Sequence, residues 1–206
     1  MKKRLIYHFA VAVTLASTLS SCASYSASSL RNLSSEINHS HRFSGKEGNV
    51  TVVAKTFDKK DCEQYLDRDI LAKGYQPVQL YIQNDSDNSY SFSLNRVSIT
   101  CSRADEVAEK VHTSTVGRAV GYGAAAVLTC GLFVIPAIID GVKSSEAIEA
   151  LDNDFLQKTA KDQSIAPHSC LNKLLFVPIH EYQSDFNVTL INCESNKPEI
   201  FKVFTG

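Results

Sequence analysis

The alternation of apolar and polar positions in the second quarter and at the end of the chain predicts β-strands. Val78 to Gln83, Tyr90 to Leu94 and Val97 to Cys101 each place apolar residues two apart, the period of a half-buried strand. Phe186 to Cys193 and Glu199 to Phe204 repeat it near the C-terminus. Val50 to Phe57 and Leu174 to His180 are β-branched or apolar runs of strand length, with Pro178 marking an edge or a bulge. Asn84 to Ser89, all polar, reads as a turn. A helical period interrupts this pattern. Lys59 to Ala72 is weakly helical and ends at Lys73-Gly74, and Val107 and Val111 are four apart within Arg103 to Thr113. Ile148, Leu151, Phe155 and Leu156 give Ser144 to Lys161 one apolar face, with Ser144 or Ser145 as its cap. About six or seven short strands in two groups around a helical block predict one antiparallel β-sandwich of immunoglobulin-like type. The domain spans 49–206, with a helical insert at 103–161.

The N-terminal pattern differs from both. Lys2, Lys3 and Arg4 precede a mostly apolar run from Leu5 to Leu15, then small residues up to Leu19-Ser20-Ser21-Cys22. A positive start, a short apolar core and a small-residue end are the parts of a secretory signal. The run is well short of the roughly 20 residues that span a bilayer. Leu19-Ser20-Ser21-Cys22 resembles the bacterial lipobox. The resemblance covers 1–22. It implies cleavage between Ser21 and Cys22, diacylglycerol on the Cys22 sulfur and an acylated new amino terminus. Each buried methylene contributes about 0.8 kcal/mol, so several chains on one residue hold firmly where one holds marginally. Ala23 after the anchor, by resemblance to enteric lipoproteins, points to the outer membrane, with the inner membrane as the other destination. Residues 23–48 are rich in serine and lack apolar periodicity, which predicts a flexible tether. His39 and His41 fall within it, without the Cys or carboxylate companions a metal site needs.

Cleavage before Cys22 would remove 21 of the 206 residues and leave 185, enough for one domain and a tail. That cleavage takes three of 21 basic residues and none of 22 acidic ones, leaving 18 against 22 and a net charge of −4. A mildly acidic chain without a basic patch does not point to nucleic acid or to anionic headgroups. Cys62, Cys101, Cys170 and Cys193 lie near strand ends and are candidates for up to two disulfides in an oxidising compartment. Free, buried thiols are the other reading, and Cys130 within an apolar run suits it best. No zinc spacing is present, so no metal or other cofactor is implied.

Ala119 to Ile139 is a run of 21 residues between Arg118 and Asp140 that carries no charge. Gly117, Gly121 and Ala125 are four apart, as are Gly123, Val127 and Gly131, a spacing that lets helix backbones approach closely. The stretch 117–141 resembles the glycine-zipper segments of bacterial envelope proteins. Three readings follow: a helix or hairpin bent near Pro136 that docks into membrane or partner helices, a buried element of the domain's own core, or a full span. A single span would separate the two strand groups across a bilayer, which disfavours it.

No nucleophile elbow, HExxH, Walker loop or dinucleotide fingerprint is present. His112, His168 and His180 stand apart in the sequence, and the carboxylate pairs Asp67/Asp69 and Glu106/Glu109 read as solvated surface. The expectation is therefore a non-enzymatic envelope protein. It would contact membrane lipid through acylated Cys22 and present its apolar segment to membrane or an unidentified envelope partner. The alternative is a scaffold that binds partners through sandwich edges and buries the apolar segment internally.

Overall fold

The computed structural model describes residues 24–34, 44–47, 49–112 and 134–205, with only the backbone described at 44–47 and 134–144. The chain divides into two units, Met1–Tyr25 with Thr113–Glu149, and Ser26–His112 with Ala150–Gly206. The second holds the strands. They are β1 (Ser44–Glu47), β2 (Val50–Thr56), β3 (Tyr75–Asn84), β4 (Tyr90–Phe92), β5 (Gln163–Ile165), β6 (Ser169–Pro178), β7 (Asp185–Asn192) and β8 (Pro198–Phe204). Its helices are α1 (Lys59–Leu66), α2 (Ala104–Val111) and the C-terminal part of α3, which spans Val134–Lys158.

The strands form two four-stranded sheets, ordered β1-β2-β3-β6 and β5-β4-β7-β8, with antiparallel neighbours throughout. Alternation decides which side chains meet between them. Val52, Leu80, Ile82 and Leu175 of the first sheet share one core cluster with Phe92, Val188, Leu190 and Phe201 of the second. Asn84 is fully buried where the chain leaves one sheet for the other. Its amide donates to the carbonyls of Asn88 and Ala166, both at 2.8 Å, and its oxygen accepts from the Ser86 hydroxyl at 2.7 Å. A buried amide so satisfied fixes two crossovers at one point.

The other face of the first sheet is also covered, so β2 and β3 are buried on both sides. The half-buried reading of Val78 to Gln83 is corrected here: Gln79, a polar position of that alternation, is 1% exposed. Phe176 of β6 stacks on Phe155 of α3 with ring centroids 5.4 Å apart, and Ser102 donates its amide to the Phe176 carbonyl. The amphipathic spacing in α2 buries Val107 and Val111 as expected.

Several boundaries differ from the sequence reading. α1 starts with a reciprocal cap between Asp58 and Asp61 and stops at Leu66, where Asp67 turns left-handed at φ 51°. Leu71–Lys73 is a separate 3-10 turn, closed by Gly74 at φ 88°. Val97 to Cys101 is not a strand: a 3-10 turn at Leu94–Arg96 breaks the pairing, and only Val97 bridges, to Val188. α3 runs unbroken through Ser144 and Ser145, so neither caps it, and Pro136 falls in its first turn, where a missing N–H costs little.

Candidate functional site

The described part of the serine-rich segment is docked on the domain. Ser26 donates its amide to the Asp67 carboxylate at 3.1 Å, and Ser28 donates to the Gln64 carbonyl at 2.9 Å. The Arg31 carbonyl accepts from the side-chain amides of Gln79 at 2.5 Å and Asn172 at 3.1 Å. Leu33 is fully buried against Val53 and Tyr81. For its described residues the flexible-tether reading is therefore corrected, and at 44–47 the chain is already strand β1, paired with β2. The physical reason lies in the partner surface. Val53 and Tyr81 sit at positions of β2 and β3 that point away from the core between the sheets, and their apolar surface needs a cover.

Lys158, at the end of α3, secures the start of this segment. It is 7% exposed, and its ammonium donates to the Ser28 carbonyl at 2.8 Å, the Tyr65 carbonyl at 2.7 Å and the Asp154 carboxylate at 2.6 Å. Tyr65 lies in the last turn of α1, which has no basic residue of its own. Lys158 thus supplies from another element the cation that a helix C-terminus favours. A buried ammonium with three acceptors is compensated.

Beside the segment is a cleft of about 610 Å³, lined among others by Ser29, Leu30, Asn153, Gln163 and Asn172. Three lysines line it: Lys158, engaged as above, Lys173, which donates to the Gln157 carbonyl at 2.5 Å, and the exposed Lys161. Amides and hydroxyls make up half of the cleft lining, and Leu30, Leu156, Asp154 and the lysines supply the rest, a mixed and largely polar surface.

The remaining polar clusters are pairs or struts. The Tyr75 hydroxyl donates to Glu106 at 2.7 Å, and Lys110 bonds both Tyr75 and Glu106, joining β3 to α2. The Tyr75 hydroxyl and the Lys110 ammonium hold the Glu106 carboxyl below its usual range. Asp162 receives the Leu94 amide and the Ser93 hydroxyl, which lower its carboxyl in that order. His112 meets Asp152 at 2.7 Å, His168 meets Asp87 at 3.1 Å and His180 meets Glu181 at 3.4 Å. Among the described residues, no group of three His, Cys, Asp or Glu side chains could hold a metal ion.

The four cysteines proposed for bridges are free thiols in this structure, Cys62 buried, Cys101 partly buried, Cys170 and Cys193 exposed. Burial pushes the Cys62 and Cys101 thiols up to about 12. Ser21 and Cys22 lie outside the described residues, as do Gly117, Gly121, Gly123, Ala125, Cys130 and Gly131. Among the described residues, no helix is long and apolar enough to cross a membrane.

Sequence reasoning missed the docked segment and Lys158. Two signals bear on the first: Leu30 and Leu33 stand out in a serine-rich stretch, and Tyr81 is apolar at an outward position of its strand. For Lys158 the sequence offers only Asp154 four residues earlier, the spacing of an ordinary solvated pair on a helix, because its two carbonyl acceptors, Ser28 and Tyr65, come from distant parts of the chain. No protein-family model, curated protein or solved structure matches the chain.

Proposed function

We propose that this chain is a lipid-anchored protein of the bacterial cell envelope, without catalytic activity, held through acyl groups on Cys22. Leu19-Ser20-Ser21-Cys22, directly ahead of the segment that docks from Ser26 onward, carries the reading. The two sheets are read as one sandwich of immunoglobulin-like type, because their inward side chains share a core. The apolar segment Gly117, Gly121, Gly123, Ala125, Gly131 to Pro136 is read as a surface offered to membrane or a partner protein. The outer membrane is the preferred location, from Ala23.

The test is metabolic labelling of the full chain in a bacterial host with an alkyne fatty acid, beside Cys22→Ala. Label on the parent protein only, with the protein in the membrane fraction, is the expected result. An unlabelled parent protein in the soluble fraction refutes the reading. Deleting Arg118 to Gly141 behind a short linker tests the second contact. Unchanged liposome binding by the unlipidated protein would remove that part of the proposal.

One observation favours an adaptor role. β8 is the edge strand of the second sheet, and Ile200 and Phe204 on it are 61% and 43% exposed. Crosslinking with mass spectrometry in native envelopes, from a photoreactive residue at 200, separates the readings. A protein partner there supports the adaptor, and lipid-only or absent products oppose it.

A further inference from the structure

We infer that the β domain stands close against the bilayer with the α1 end facing the lipid headgroups, held there by a leash of about four residues; this rests on the anchoring through Cys22 proposed above. A free tether over 23–48 would have a root-mean-square span of about 28 Å, from roughly 5.5 Å times the square root of its length. Docking from Ser26 removes nearly all of that freedom. Between Cys22 and Ser26 the extended chain reaches at most about 14 Å.

The fixed point has a definite place in the fold. Ser26 is bonded to Asp67 and Ser28 to Gln64, beside the C-terminal end of α1. α1 follows Thr56 of β2, which pairs with Val78, whereas Cys170 pairs with Gln83 at the other end of the same sheet. Five residues of strand, about 17 Å at 3.4 Å each, separate the two levels. Cys193 lies with Cys170 at the far level: its amide donates to the Ser89 carbonyl, next to the loop tied by Asn84. Charge does not set this orientation. Lys59, Lys60 and Arg68 near the fixed point are accompanied by Asp61, Glu63, Asp67 and Asp69, so anionic headgroups gain no net attraction. The leash selects the face, and it does so because Lys158, Gln79, Asn172 and the Leu33 pocket hold the segment from Ser28 to Leu33.

The experiment uses the full lipidated protein in liposomes containing a headgroup-linked fluorescence quencher. One fluorophore is placed at exposed position 63 through Glu63→Cys with Cys130, Cys170 and Cys193 changed to Ser, or at native Cys170 with Cys130 and Cys193 changed to Ser. Mass spectrometry of the N-terminal peptide establishes acylation in each sample. Quenching several-fold stronger at 63 than at 170 is expected. A Gly/Ser insertion of about 12 residues between Ala23 and Ser24 adds about 20 Å of root-mean-square reach and should abolish the difference. Equal quenching at both positions in acylated protein overturns the oriented arrangement and leaves the anchor standing. Absence of an acyl group on Cys22 overturns both. An unchanged difference in the insertion protein overturns the leash as its cause.

Discussion

Replacing Lys158 by methionine removes one ammonium and keeps a stem of similar length and volume. Three acceptors then lose their donor: the carbonyls of Ser28 and Tyr65 and the carboxylate of Asp154. Hydrogen bonds to a charged group contribute about 1.5–3 kcal/mol each, and breaking a buried ion pair costs about 3–5 kcal/mol. Two effects reduce the total. The ammonium no longer has to be desolvated, and the Asp154 side chain, 24% exposed, can turn towards water. The net loss for Lys158→Met is therefore about 2–4 kcal/mol. For a folded unit of this size that is a fall in Tm of about 5–15 °C. Asp154→Asn should cost less, about 1–2 kcal/mol, because the buried ammonium keeps both carbonyl acceptors and an amide oxygen can accept in place of the carboxylate. Urea unfolding of the two variants measures the difference, and hydrogen exchange at the Ser28 amide, bonded to the Gln64 carbonyl, reports release of the segment. Stability within 1 kcal/mol of the parent protein, with unchanged exchange at Ser28, would refute the clamp.

Three further outcomes follow from the same structure. Asp162, with its carboxyl lowered by the Leu94 amide and the Ser93 hydroxyl, contributes stability above the unfolded pKa of about 3.9 and loses it as pH falls through the lower folded value; urea midpoints from pH 5 to 2 should fall less steeply for Asp162→Asn, and parallel profiles would count against this. Gly74 sits at φ 88° with nothing within 4 Å of the place a methyl group would take, so Gly74→Ala meets backbone strain alone and should cost about 1–2 kcal/mol in thermal unfolding, whereas Gly74→Asn should cost less. With thiols near 12, Cys62 and Cys101 carry about one thiolate in ten thousand at pH 8, so a thiolate-selective reagent should modify Cys170 and Cys193 in native protein and reach the other two only on unfolding; early labelling of Cys62 in peptide maps would contradict its burial.

How legible the fold was depended on whether one strand face or two were covered. β7 has the burial pattern of its sequence alternation, because only one of its faces meets the core. β3 also alternates in sequence, yet it is buried on both faces, since Gln79 and Tyr81 are covered by a segment some fifty residues earlier in the chain. β5 went unread because three residues, two of them polar, carry no period. Val97 to Cys101 was over-read for the opposite reason. Its alternation persists, but the 3-10 turn at Leu94–Arg96 takes it out of register with the sheet. For the candidate site, Leu19-Ser20-Ser21-Cys22 was legible as a resemblance to the lipobox, whereas the docking of the segment from Ser26 to Leu33 was not.

The amino-acid pattern alone determined most of the strands and helices and the polar turn after Asn84, and it holds the lipobox-like Leu19-Ser20-Ser21-Cys22 on which the proposed anchoring rests, because each is written in neighbouring residues. Only the tertiary structure decided that residues 26–34 are part of the domain. Their docking rests on Lys158, Gln79, Asn172 and the Leu33 pocket, whose partners lie between roughly twenty and 140 residues apart. A lysine at a helix end, four residues after an aspartate, looks like solvated charge in sequence; it becomes a clamp only when folding brings two distant carbonyls within reach of the same ammonium.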